Sequence, residues 1–117
     1  MSKKKHHAKP WDFLDEYRGK EFTGTWPTVV EMFDITVKRY PDNESFIAFT
    51  PKKEAYTYAE AYEHIQTIAS YLVVEGVTKG TKVALTGKNS PQWAMSYLGI
   101  LYAGGTVVPL DASLSEE

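Results

Sequence analysis

The chain has 117 residues, with 15 acidic and 13 basic side chains, no cysteine and a formal net charge of −2 at pH 7. This length allows one domain at most. The balanced charge creates no field that attracts nucleic acid, and the lack of cysteine excludes disulfides and thiolate metal sites. A cysteine-free chain agrees with the reducing cytoplasm, which is the location we predict.

The chain begins with a basic segment, MSKKKHHAKP, that lacks the apolar stretch of a secretory signal, so we predict a disordered basic tail over residues 1–10. Residues 11–18, WDFLDEYR, form a candidate short helix that Gly19 ends. Its apolar anchors are Trp11, Phe13, Leu14 and Tyr17.

A longer helix is predicted where Thr28 and Glu31 stand at the spacing of a capping box. Pro41 ends it, because the residue before a proline is disfavoured in the helical region. Apolar side chains recur at steps of three and four along this segment and give it one apolar face, made of Val29, Met32, Phe33, Thr36, Val37 and Tyr40.

Two short β-prone runs, residues 45–50 and 55–58, predict an antiparallel hairpin joined by a four-residue loop, PKKE. Thr57 and Glu60 then repeat the capping-box spacing and predict a helix that runs to about Glu75. Gly76 is its predicted left-handed cap, with Val77 packing back on the last turn. The buried stripe of this helix is predicted to be Ala61, Ile65, Ile68, Ala69 and Leu72.

The last third of the chain predicts a βαβ unit with parallel strands. Residues 82–86, KVALT, read as a strand buried on both faces. Ser90, Pro91 and the pair Gly104-Gly105 start and stop a helix over residues 91–103, and a second strand follows near 106–110. The predicted fold class is therefore α/β, with a β-hairpin, a parallel βαβ unit and flanking helices.

The uncharged stretch 89–110 is long enough to cross a bilayer, which needs about 20 apolar residues. Three glycines, a proline and several polar side chains interrupt it, and a broken backbone would leave unpaired amides in hydrocarbon. We predict a buried helix, turn and strand, and no transmembrane segment.

Three patterns are candidate sites. Residues 86–90, TGKNS, resemble the end of a phosphate-binding loop, but Lys82 occupies the position of the required glycine and Asn89 separates Lys88 from Ser90. His64 with its neighbouring acids suggests metal or acid–base chemistry, although a solvated helix face is more ordinary. Eight tyrosines and three tryptophans suggest a stacking platform, yet their helical spacing favours core packing. These residues alone indicate no catalytic, cofactor-binding or metal site.

A family resemblance is carried by residues 101–111, LYAGGTVVPLD. They resemble the second conserved segment of the adenylate-forming (AMP-binding) acyl-CoA synthetases, usually written L-K-A-G-x-A-Y-V-P-[ILV]-D. Residues 56–60, YTYAE, resemble the first segment, [LF]-[TS]-Y-x-E-L, but depart from it at Tyr56 and Ala61. Residues 26–49 resemble the opening helix and strand of the long-chain fatty-acid branch. The resemblance covers about residues 20–115.

The resemblance implies that the parent protein is a long-chain fatty-acid:CoA ligase that uses ATP, Mg²⁺, a fatty acid and coenzyme A. It implies that residues 11–117 are the N-terminal part of the family's large domain. The family's phosphate loop, adenine-binding segment, ribose-binding aspartate and catalytic lysine lie downstream of the segments present here. No catalytic, cofactor-binding or metal residue is therefore assigned, and the fragment alone is expected to be inactive.

The end of the chain supports the expectation of a fragment, because Ser115 and the two glutamates after it form a helix-start signal that no helix follows. Two alternatives remain: a stand-alone binding or regulatory module on the same scaffold, or a fragment of an amino-acid or aryl-acid adenylating enzyme. We expect no nucleic-acid partner and leave peripheral contact with a membrane open. An unpaired strand edge predicts self-association.

Overall fold

The computed structural model describes residues 27–113. The predicted tail of residues 1–10, the short helix of residues 11–18 and the cap signal at Ser115 lie outside this range. The predicted α/β fold, with its hairpin, parallel pair and helices, is confirmed. In chain order the elements are α1 Val29–Arg39, β1 Glu44–Ala48, β2 Glu54–Thr57, α2 Tyr58–Val74, β3 Lys82–Leu85, α3 Pro91–Tyr102 and β4 Thr106–Pro109.

Each helix begins at a side-chain cap that the sequence predicts. At α1, Thr28 Oγ1 accepts a hydrogen bond from the Glu31 amide at 3.2 Å, and Glu31 Oε2 accepts one from the Thr28 amide at 3.0 Å. At α2, Thr57 Oγ1 accepts a hydrogen bond from the Glu60 amide and donates one to the Glu60 carboxylate. At α3, Ser90 Oγ accepts from the amide of Trp93 at 3.1 Å. The caps satisfy amides that have no partner inside the helix.

Helices α2 and α3 both end at a glycine with positive φ. Gly76 has φ +104° and Gly104 has φ +87°, a region that residues with a Cβ rarely adopt. The amide of the residue after each glycine bonds back to a carbonyl in the last turn of the helix. Val77 donates to the Leu72 carbonyl at 3.0 Å, and Gly105 donates to the Ile100 carbonyl at 2.9 Å. Both ends are Schellman motifs, as the glycine positions predict.

The strands form two pairs. β1 and β2 are antiparallel, with Phe46 opposite Tyr56 and an irregularity between Glu44 and Phe46. The turn between them is one residue longer than predicted, since residues 49–53 lie outside both strands. β3 and β4 are parallel, with Val83 opposite Val107, so the predicted βαβ unit is confirmed.

The core lies where α2 and α3 pack together. Gly99 permits their close approach, because a Cβ added there would lie 2.5 Å from Cγ2 of Ile68. Three residues of the core cluster, Ala61, Ile65 and Met95, are at most 3% exposed. The partly buried side chains packed around them are Phe33, Phe46, Tyr56, Ile68, Leu98 and Tyr102.

The prediction that the first strand of the βαβ unit is buried on both faces is wrong for the described chain. Val83 and Leu85 are half-buried, whereas Ala84 between them is exposed. The helix that packs on β3 and β4 is α3. Helix α3 covers one face of the pair, and the alternation of side chains along a strand turns Ala84 to the other face.

Candidate functional site

The first candidate position for a site is the carboxyl end of β3, because open α/β sheets bind ligands beyond the carboxyl ends of their strands. Here the chain turns through residues 86–90 into α3, beside an open cavity of about 290 Å³. Lys88 is the only lining side chain that is charged at neutral pH, so the cavity offers no acid–base pair. Its lining residues are Leu85, Thr86, Gly87, Lys88, Ser90, Gln92, Trp93 and Ser96.

The turn itself has a local structural role. Gly87 has φ +147°, and Ser90 uses its hydroxyl to cap α3. These features fit the predicted polar turn with its own cap, rather than a loop that cradles phosphate.

A polar cluster joins the hairpin to α3. The Tyr56 hydroxyl donates to the Glu54 carboxylate, and Gln92 Nε2 donates to Glu54 Oε1 at 2.8 Å. The hydrogen bond to Glu54 is the main cause that raises the pKa of Tyr56 above its ordinary value. A phenol with a raised pKa stays protonated at neutral pH and is a poor base or nucleophile. The cluster therefore fastens the hairpin to the start of α3.

His64 on α2, a candidate for metal or acid–base chemistry in the sequence, packs against an aromatic ring. The ring of His64 meets the ring of Tyr56 edge-on, with centroids 5.3 Å apart. Glu60 bonds the N-cap residue Thr57, and Glu63 is exposed. Within residues 27–113 no group of three His, Asp or Glu side chains is arranged to hold a metal ion.

The aspartate that ends the second family segment folds back on its own turn. Asp111 Oδ1 accepts hydrogen bonds from the amide and the hydroxyl of Ser113, both at 2.8 Å. These two bonds hold the pKa of Asp111 below its usual value. The carboxylate is exposed and acts here as a turn cap.

A further cavity, of about 500 Å³, opens along β1. Its lining consists of apolar side chains and the neutral polar residues Ser45, Thr50, Asn89 and Ser90. Its lining residues are Ser45, Phe46, Ile47, Ala48, Phe49, Thr50, Asn89, Ser90 and Pro91.

None of the helices in the described range is long and apolar enough to span a membrane.

The sequence predicts no site residue, and it gives no sign of the Tyr56 cluster as a whole. Glu54 and Gln92 lie 38 positions apart, and no spacing rule connects them. Their contact depends on how the hairpin sits against the start of α3, which is a tertiary property. The only local signal was the tyrosine at position 56, where the family segment usually has Leu or Phe.

The α/β fold of the described residues matches the N-terminal part of a solved ligase structure. It is similar to the N-terminal subdomain of NpsA from Klebsiella oxytoca in complex with anthranilyl-AMSN, with a TM-score of 0.73 and 26% identity over 80% of this chain and 24% of that one. It is also similar to the fatty acid AMP ligase from Legionella pneumophila, with a TM-score of 0.68 and 27% identity over 74% of this chain and 15% of that one.

The family follows from the sequence comparison. Residues 33–117 match the family model described as AMP-binding enzyme, so the chain belongs to the AMP-binding enzyme family. Its relatives include 4-hydroxybutyrate–CoA ligase 2 of Metallosphaera sedula, 28% identical over 87% of this chain and 19% of the ligase. They also include a linear gramicidin synthase of Brevibacillus parabrevis, 38% identical over 77% of this chain and 1% of the synthase. The chain spans less than a fifth of these curated relatives.

Proposed function

We propose that this chain is the N-terminal scaffold of an ATP-dependent, adenylate-forming ligase, with residues 11–117 forming the start of the large domain and residues 1–10 a disordered tail. The observation that carries the proposal is the family match over residues 33–117, together with the likeness to an N-terminal subdomain.

The proposed reaction of the whole ligase has two steps. A carboxylate oxygen attacks the α-phosphorus of ATP, the bond to pyrophosphate breaks, and an acyl-adenylate forms. The thiol of coenzyme A then attacks the acyl carbonyl, loses its proton and displaces AMP. Mg²⁺ would neutralise phosphate charge in the first step. Residues 27–113 offer no ligand cluster that fits Mg²⁺, so we assign none of these steps to them.

The role of the described residues is mechanical. The α2–α3 contact at Gly99 and the capped start of α3 hold the β3–β4 pair, whose carboxyl ends point toward the downstream part of the ligase in this proposal. A rigid support of this kind fixes the geometry of a site built from later residues.

We propose a fatty acid as the acyl substrate, on the basis of residues 26–49 and the likeness to a fatty acid AMP ligase. A coenzyme A acceptor is supported by the relative named as a CoA ligase. Amino-acid adenylation is the second candidate, since a linear gramicidin synthase is also a relative. An aryl acid is the third, because the NpsA subdomain was solved with anthranilyl-AMSN.

The remaining parts of the proposal concern the setting of the ligase. We propose a cytoplasmic location, no nucleic-acid partner and no membrane-spanning part, with peripheral membrane contact left open. The chain alone is proposed to be inactive and to self-associate. A stand-alone binding module on the same scaffold is the rival to these proposals.

The test is pyrophosphate release from ATP and Mg²⁺ by the protein that continues this chain downstream, with a long-chain fatty acid, an amino acid and an aryl acid supplied in parallel. We expect release with the fatty acid and transfer to coenzyme A, while the 117-residue chain alone stays at the blank. Release of pyrophosphate with only the amino acid or the aryl acid would contradict the proposal that the substrate is a fatty acid. Turnover by the chain alone would contradict the scaffold role.

A further inference from the structure

An open apolar groove runs along α1, where this helix meets β1 and the start of α2. Its volume is about 340 Å³, and none of its lining side chains carries a formal charge at neutral pH. We call it the α1 groove. Its lining residues are Val29, Met32, Phe33, Thr36, Ser45, Phe46, Tyr58 and Leu98.

The floor of the α1 groove is aromatic and tied to the core. Phe33 packs on Phe46 with ring centroids 6.5 Å apart and on Tyr58 at 5.9 Å. The rim is open, since Val29 is 57% exposed and Met32 is 37% exposed. Both rim residues belong to the apolar face that the sequence predicts for this helix. Covering such a surface removes apolar area from water, which is favourable, so a groove of this kind favours an apolar occupant.

A segment of the same chain has the composition to fill it. Residues 11–18 carry four large apolar side chains: Trp11, Phe13, Leu14 and Tyr17. The segment therefore matches the groove in apolar content.

The length of the connection favours the same chain over a second copy. Tyr17 precedes Val29 by twelve residues, which reach at most about 40 Å when extended, against about 16 Å for the length of α1. A link of this length allows an effective concentration in the millimolar range. A second copy at the usual micromolar concentration competes poorly with a segment held that close.

We propose that residues 11–18 dock in the α1 groove of their own chain and cover Val29 and Met32. The segment then closes the apolar face of α1 and fixes the N-terminal part of the chain against the hairpin. This inference is independent of the proposed ligase function, because it concerns the fold of the chain and not its substrate.

Disulfide trapping tests the docking. Because the chain has no cysteine of its own, only the two introduced cysteines can form an internal disulfide. The full 117-residue chain would carry Leu14→Cys together with Met32→Cys. The matched control pairs Leu14→Cys with Thr78→Cys, an exposed position between α2 and β3 that does not line the groove. A disulfide needs Cα atoms about 4.4–6.8 Å apart, so it reports close approach.

We expect the first pair to form an internal disulfide at least about tenfold faster than the control in a glutathione buffer, which reflects the proximity. Equal rates for the two pairs would overturn the proposal. Cross-links between chains at the first pair would also overturn it, and would assign the groove to a second copy.

A second measurement uses milder variants that keep the fold. Leu14→Ala and Val29→Ala would each raise the equilibrium constant for unfolding in urea, and the double variant would raise it by less than the product of the two. The control cycle pairs Leu14→Ala with Val74→Ala, a residue of α2 that is 84% exposed. In the control cycle, the double variant should raise the equilibrium constant for unfolding by the product of the two single effects. Multiplicative behaviour in both cycles would contradict the docking.

Discussion

Tyr102 joins the last turn of α3 to α1 through its hydroxyl. The hydroxyl donates to Asp34 Oδ1 at 2.5 Å and lies 3.2 Å from the Val30 carbonyl oxygen. Burial of the ring raises the pKa of Tyr102 above its ordinary value, and the hydrogen bond to Asp34 raises it further. The folded chain therefore favours the neutral phenol.

This pKa shift has a defined consequence for stability against pH. An unfolded tyrosine loses its proton at about pH 10, while the folded Tyr102 keeps it, so the folded state holds more protons above that pH. The stabilisation is fully present below about pH 10 and is lost as the pH rises further.

Urea unfolding should show Tyr102→Phe less stable by about 1 kcal/mol at neutral pH, from the lost hydrogen bond.

The same variant should lose less stability than the parent chain between neutral pH and about pH 11. Tyr71→Phe is the control, since the Tyr71 ring is 63% exposed on α2. An unchanged pH dependence in Tyr102→Phe would show that its hydroxyl is not protected in the fold.

Gly99 sets the spacing of the two central helices. In Gly99→Ala the new Cβ would lie 2.5 Å from Cγ2 and 2.9 Å from Cβ of Ile68, so α2 and α3 must move apart. We expect a loss of about 1–3 kcal/mol in the free energy of unfolding, as for other overpacked cores. Ser70→Ala on the exposed side of α2 is the control for helix propensity. Stability equal to that of the parent would contradict the close packing.

At the scale of elements, the start of α3 depends on one hydroxyl. Replacing the capping side chain in Ser90→Ala removes the acceptor of the Trp93 amide. We expect a loss of about 1 kcal/mol in the free energy of unfolding, measured in urea. Ser90→Asp restores an acceptor at the same place and should keep most of the stability. If the two variants lost equal stability, the hydroxyl would not be acting as a cap.

The elements were predictable from the sequence where their signals are local. The caps at Thr28, Thr57 and Ser90 and the glycines at 76 and 104 mark helix ends within one or two residues of the observed ones. Burial of β3 was not predictable, because the exposure of Ala84 depends on which elements cover the sheet. The Tyr56 cluster was equally hidden, since its members meet only after the hairpin packs on α3.

At the scale of the whole molecule, the described chain leaves apolar surface open. Each of its two sheets has two strands, so strand edges remain unpaired among residues 27–113. Phe49, at the end of β1, is 72% exposed. We expect the 117-residue chain to associate as its concentration rises in sedimentation velocity runs.

Phe49→Lys should weaken this association several-fold, because it replaces an exposed apolar ring directly after β1 with a charge. Tyr71→Lys, on the exposed side of α2, is the control and should change it less. A parent chain that stays monomeric at the highest soluble concentration would contradict the expectation.

The most direct measurement of the scaffold role is calorimetric binding of an acyl-adenylate analogue to the 117-residue chain, with the proposed longer ligase as the positive control. Under the scaffold proposal, the segments that bind the nucleotide and the acyl group lie downstream of residues 27–113. We therefore expect no heat beyond dilution for the chain alone and saturable binding for the longer protein. One-to-one binding by the chain alone in the micromolar range would contradict the scaffold role.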